Sequence, residues 1–114
     1  ISPRFADRQL HIIEQYERLG VNTDCSCTPY LGTNIPQKGQ NLAWAESNAL
    51  SFANSVIGAR TNREGGPGAL AAAIVGKTPR YGLHLDENRA PSIIVSVDLD
   101  KVDYSLLGQA VGPL

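Results

Sequence analysis

Methionine is absent from this 114-residue chain, which begins at Ile1 and holds only two cysteines, one tryptophan and two phenylalanines. A chain without any methionine reads as processed or as a section of something longer, and the second reading is preferred. Two cysteines are too few for an all-cysteine zinc or iron–sulfur site. No apolar run comes near the ~20 residues of a membrane span. No basic segment followed by an apolar one marks a signal peptide, so a cytoplasmic setting is expected. Ten Lys and Arg against eleven Asp and Glu leave a net charge of −1. That balance gives no basic excess to draw nucleic acid or anionic lipid and no acidic tail to suggest disorder. The length allows one modest domain with a small core.

The chain that remains alternates apolar periodic stretches with turn chemistry. Phe5, Leu10, Ile13, Tyr16 and Leu19 follow helical spacing, which predicts a helix over 5–19 ended by Gly20. Glycines and Pro36 make 31–41 a loop. Trp44, Ala45, Ala49, Phe52, Ala53 and Val56 predict a second helix over 42–57, buried on most sides and stopped by Gly58. Pro67 opens a third over 67–75, because its missing N–H is an unpaired position there in any case. The β-branched run near 92–98 predicts a buried strand, and Asp103 is placed to cap a last helix through Val111. Helices alternating with extended segments imply an α/β layered fold.

Polar residues crowd between the second and third helices in "VIGARTNREGGPGALAAA". Gly65, Gly66 and Pro67 lead into a helix N-terminus, whose free N–H groups and dipole attract anions. Arg60 and Arg63 can add bidentate bonds to a carboxylate or phosphate, Thr61 and Asn62 further polar contacts, and Glu64 an orienting or acid–base group. The plainer alternative is a solvated loop in which these charges pair with one another. Cys25 and Cys27, two apart, would point the same way from an extended segment. A ligand role for them requires further ligands from elsewhere, and buried free thiols are the alternative. On a strand, His84 and Asp86 would share a face and could move a proton or hold a metal, against a purely structural histidine. Glu46, Ser47 and Asn48 interrupt an apolar helix and need partners. No nucleophile elbow, phosphate-binding loop or dinucleotide fingerprint is present.

Taken together, "CSCTPY", "AWAESNALSFANSVIGARTNREGGP", "ALAAAIVGKTPRYGLHLDENR" and "LLGQAVG" resemble the aconitase X family along nearly the whole chain. The resemblance implies a hydro-lyase dependent on iron or an iron–sulfur cluster, with aconitase-like α/β layers. It implies a small swivelling domain, fused or a separate subunit, that closes over the site and lies outside this chain. Residues 1–114 then form part of the large catalytic domain. Carried over by position, Cys27 is the expected iron ligand and Cys25 a second candidate. Arg60 to Gly66 become the substrate-binding loop, and Glu46, Ser47 and His84 line the catalytic cleft. The substrate is a small hydroxy acid, with cis-3-hydroxy-L-proline preferred and mevalonate 5-phosphate the alternative. Dehydration needs a base, a Lewis acid for the leaving hydroxyl and a carboxylate clamp. Another expectation, from a different class, is a folded segment that is not catalytic alone.

Overall fold

A computed structural model describes residues 1–114 as four α-helices joined by turns and loops. Helix α1 spans Pro3–Arg18, α2 Ser47–Phe52, α3 Gly66–Val75 and α4 Tyr104–Val111. Tight 3-10 turns lie at Pro29–Leu31, Gly82–His84 and Asp86–Asn88. Three of the helices follow the sequence closely. Pro3 and Pro67 sit in the first turns of α1 and α3, where no backbone N–H is needed. Asp103 caps α4, its carboxylate accepting from the N–H groups of Ser105 and Leu106.

The second helix differs from expectation. It begins at Ser47 rather than at residue 42, and its end, Ala53–Ile57, widens into a π-helical turn. Residues 39–44 instead run parallel to 58–64. Leu42 N–H donates to Arg60 O, Arg60 N–H to Gln40 O, and Glu64 N–H to Trp44 O, with bridges at Asn41–Arg60 and Trp44–Arg63. This pairing satisfies backbone groups that a longer helix would have satisfied internally, so tertiary contact overrides helical pattern. Ala59 N–H donates to Ala53 O as the helix ends at Gly58.

Residues 92–98 form no strand, and Ile94 is 90% exposed. A strand exists only through a neighbour's hydrogen bonds, and no second strand is offered within the chain. The two isolated bridges are the whole of the sheet structure, so α/β layering is not formed by these residues.

The core sits where α2 meets the paired segments. Leu42, Ala53 and Ala59 are buried there with Trp44 and Ile57 packed against them. Nine residues are buried in all, and three of them, Thr61, Asn62 and His84, are polar. The radius of gyration is 17.3 Å, against about 13 Å for a compact domain of this length. Helix α1 buries none of its residues. No helix is long and apolar enough to cross a membrane.

Candidate active site

The polar string Arg60–Glu64 is held from behind by Asn54, which rides on the π-helical turn after α2. Its Nδ2 donates to Leu50 O (2.9 Å) and Thr61 O (2.8 Å). Its Oδ1 accepts from Thr61 N–H (3.2 Å) and Arg89 Nη1 (2.8 Å). All four capacities of one carboxamide are used. Arg89 reaches back from the 86–89 turn and donates further to Leu83 O, Asn54 O and Ala59 O. It thereby ties the turn after α2 to the 82–89 segment.

Within the string, each side chain has a separate task. Thr61 is fully buried; its hydroxyl donates to Asn62 O and accepts from Trp44 N–H. Asn62 donates to Tyr81 O and accepts from Leu83 N–H. Arg60 donates to His84 O and pairs with Asp86. Its guanidinium is thus committed to the protein's own oxygens, whereas Arg63 is exposed and free of any ion pair. Glu64 is half-buried, and its Oε1 has no hydrogen-bond partner. Gly65 and Gly66 lie exposed at the open start of α3.

His84 belongs to a 3-10 turn, not a strand, so it does not share a face with Asp86. It is buried, whereas Asp86 lies at the surface. Its Nδ1 lies 2.8 Å from Asn41 Oδ1. A carboxamide oxygen only accepts, so Nδ1 carries the proton and Nε2 the lone pair. Nε2 is buried and has no partner. Burial pushes the imidazole below its ordinary value; Glu64 opposes this, while Arg60 and Arg89 add to it. The ring is therefore neutral near pH 7.

The remaining candidates stand apart from this cluster. Glu46 and Ser47 are exposed at the start of α2. The cysteine loop is closed by Asn22–Thr33 and Thr33–Asp24 hydrogen bonds and joined to α2 by Asn48, which donates to Cys27 O. Tyr30 stacks on Phe52 at 4.1 Å. Cys25 adopts a positive φ of 48°, so the segment is not regularly extended, and both thiols are exposed. Nowhere do three His, Cys, Asp or Glu side chains gather as a metal would require. The donors present do not by themselves fit an iron centre.

Sequence reasoning missed Asn41, Asn54 and Arg89. Asn54 did carry a signal, an amide inside an apolar helical stretch, which must find partners. Arg89 and Asn41 carried none, since their roles depend on which segments meet.

Comparison with known proteins places this chain in a known family. Residues 1–87 match the model of the aconitase X first domain, and the chain belongs to the aconitase X family. It is 56% identical over 111 residues to the phosphomevalonate dehydratase large subunit of Thermococcus kodakarensis, covering 95% of this chain and 29% of that protein. Against the cis-3-hydroxy-L-proline dehydratase of Hypocrea jecorina the identity is 36% over 114 residues, covering 95% of this chain and 19% of that protein. The crystal structure of Thermococcus kodakaraensis aconitase X in its holo-form superposes with a TM-score of 0.73 at 58% identity, covering 78% of this chain and 23% of that one. The chain thus spans less than a third of the length of the relatives it matches.

Proposed function

We propose that this chain is the section of a dehydratase large subunit that shapes part of the substrate cleft, and that the substrate is phosphomevalonate. The observation that carries the substrate is the contrast in identity: 52–56% to four phosphomevalonate dehydratase large subunits and 39% to a fifth, against 36% and 41% to cis-3-hydroxy-L-proline dehydratases. This reverses the preference for hydroxyproline drawn from sequence. In the reaction, a proton leaves the carbon next to the carboxylate, hydroxide leaves the adjacent carbon, and a C=C bond forms with release of water.

The part of this chain in that chemistry is binding and orientation. Arg63, free of internal partners, is suited to hold the carboxylate. Asn54 and Arg89 fix the loop that carries it. Glu46 and Ser47, open at the start of α2 and apart from the Arg60–Glu64 string, are the candidates for proton exchange within this chain, and the base itself is expected outside it. The small swivelling partner expected from sequence would close over this face. Cys27 and Cys25 can be only part of an iron centre, with the other ligands outside the chain.

The test uses the complete large subunit with its small subunit, offered phosphomevalonate and cis-3-hydroxy-L-proline separately. Dehydration of phosphomevalonate alone is expected; turnover of hydroxyproline alone, or of neither, refutes the reading. In the same protein, Cys27→Ser is expected to lower bound iron, measured by metal analysis. Unchanged iron content removes that cysteine from the centre.

A further inference from the structure

Beside His84 lies a cleft of about 430 Å³ that contains no hydrophobic lining residue. Asn41, Lys77, Thr78, Arg80 and His84 line it. It adjoins a second cleft of about 420 Å³, with which it shares Asn41, Gly76, Lys77 and Thr78. The second is walled on its far side by Leu42, Trp44, Ala72 and Ala73. The two make one bipartite cavity between the 41–44 segment and the C-terminal end of α3, polar at one end and apolar at the other. None of these wall residues except His84 was a site candidate in the sequence.

The polar end is electrostatically incomplete. Lys77 and Arg80 form no ion pair, and no acidic side chain lines the wall beside them. Thr78 Oγ1 and His84 Nε2 are both buried without a hydrogen-bond partner. Two unneutralised cations and two orphaned polar atoms on one wall are complementary to a group with two negative charges and several oxygens. A phosphomonoester dianion supplies both: its oxygens accept from Lys77, Arg80 and the Thr78 hydroxyl, and on taking up one proton, which leaves it one negative charge, it also donates to the Nε2 lone pair. A carboxylate offers only two oxygens and one charge and leaves part of the wall unsatisfied.

We propose that the cleft lined by Asn41, Lys77, Thr78, Arg80 and His84 is a phosphomonoester-binding site that seats the phosphate of the substrate, while the adjoining apolar end takes its carbon chain. The identity of that phosphate as the substrate's rests on the proposed dehydration of phosphomevalonate. The arrangement also accounts for discrimination: a hydroxy acid without phosphate forgoes the bonds to Lys77 and Arg80 and leaves the buried Thr78 hydroxyl and His84 Nε2 without partners.

The experiment uses the complete large subunit with its small subunit, as wild type and as Lys77→Gln, Arg80→Gln and the double variant. Both side chains are exposed, so folding is retained, which circular dichroism checks. Inorganic phosphate binding is measured by calorimetry, and KM and kcat are measured with phosphomevalonate. Wild type is expected to bind phosphate, and each variant to weaken it about tenfold. KM is expected to rise by a similar factor with kcat nearly unchanged. Wild-type turnover of phosphomevalonate with variants unaltered in KM and in phosphate binding overturns the site and leaves the reaction standing. Phosphate binding that the variants lose, in an enzyme that does not dehydrate phosphomevalonate, supports the site and removes the proposed reaction. Failure of wild type to bind inorganic phosphate overturns the site.

Discussion

At the scale of single residues, Asn54 and His84 show two ways in which a buried polar group is accommodated. Asn54 is satisfied in every direction, so removing it strands partners rather than a side chain alone. In Asn54→Ala, Thr61 N–H, Thr61 O and one arm of Arg89 all lose their amide. A loss of about 2–3 kcal/mol is expected from buried groups left unpaired, read as a lower urea midpoint; an unchanged midpoint shows that water replaces the amide without cost. His84 is half satisfied and held neutral. Unfolded imidazole titrates near ~6.5 and the folded ring below it, so the unfolded chain takes up the proton first as pH falls. The contribution of His84 to stability is whole above about 6.5 and is lost as pH falls through the folded value. Urea midpoints measured between about pH 8 and about pH 5 are expected to fall more steeply in wild type than in His84→Gln. Parallel curves would show that the ring is not buried neutral.

Among the elements, the turns after α3 separate backbone demand from packing. Gly76 and Gly82 both have left-handed backbones, with φ of 68° and 57°. A Cβ at Gly76 meets nothing within 4 Å, whereas at Gly82 it collides with the Asn62 carboxamide that fixes Leu83. Gly76→Ala is expected to cost about 1–2 kcal/mol for the backbone alone. Gly82→Ala adds displacement of Asn62 and should cost clearly more; equal urea midpoints for the two would mean that Asn62 moves freely. The same contrast between local and non-local causes decides what the sequence revealed. Proline in the first turn, an aspartate cap and a glycine stop act within a few residues, so α1, α3 and α4 were legible. Residues 42–46 look helical but are drawn to the 58–64 segment, and 92–98 has strand composition with no strand to pair with. At the site, the Arg60–Glu64 string was legible because charge between apolar flanks is locally unusual. The amide and guanidinium behind it were not, because Asn54 and Arg89 meet across 35 positions of sequence.

For the molecule as a whole, the accessible surface of 8832 Å² exceeds the roughly 6,100 Å² expected of a compact protein of this mass. Part of that surface is apolar, and two stretches of the chain contribute much of it. Phe5, Leu10, Ile12 and Tyr16 on α1, and Ile93, Ile94, Val95, Val97 and Leu99 in the 92–99 segment, are all exposed. A helix that buries nothing lacks the packing that supplies most helical stability in proteins, and beyond its own bonds α1 gains only an exposed one from Thr23 to Glu17. The segments knit by Asn54, Arg89 and the parallel pairing have buried backbone bonds that open only when that hub opens. Hydrogen exchange on this chain in isolation is therefore expected to be sharply divided. Amides of Leu42, Ala59, Thr61 and Leu83, each bonded within the hub, are expected to be protected. Those of α1 and of residues 92–99 are expected to exchange close to unprotected rates. The same exposed side chains should bind a hydrophobic dye such as ANS without any denaturant. Uniform protection across α1 and the hub, together with absence of dye binding, would mean that α1 is held by packing of its apolar face, and the hub would no longer be the only folding unit of the chain.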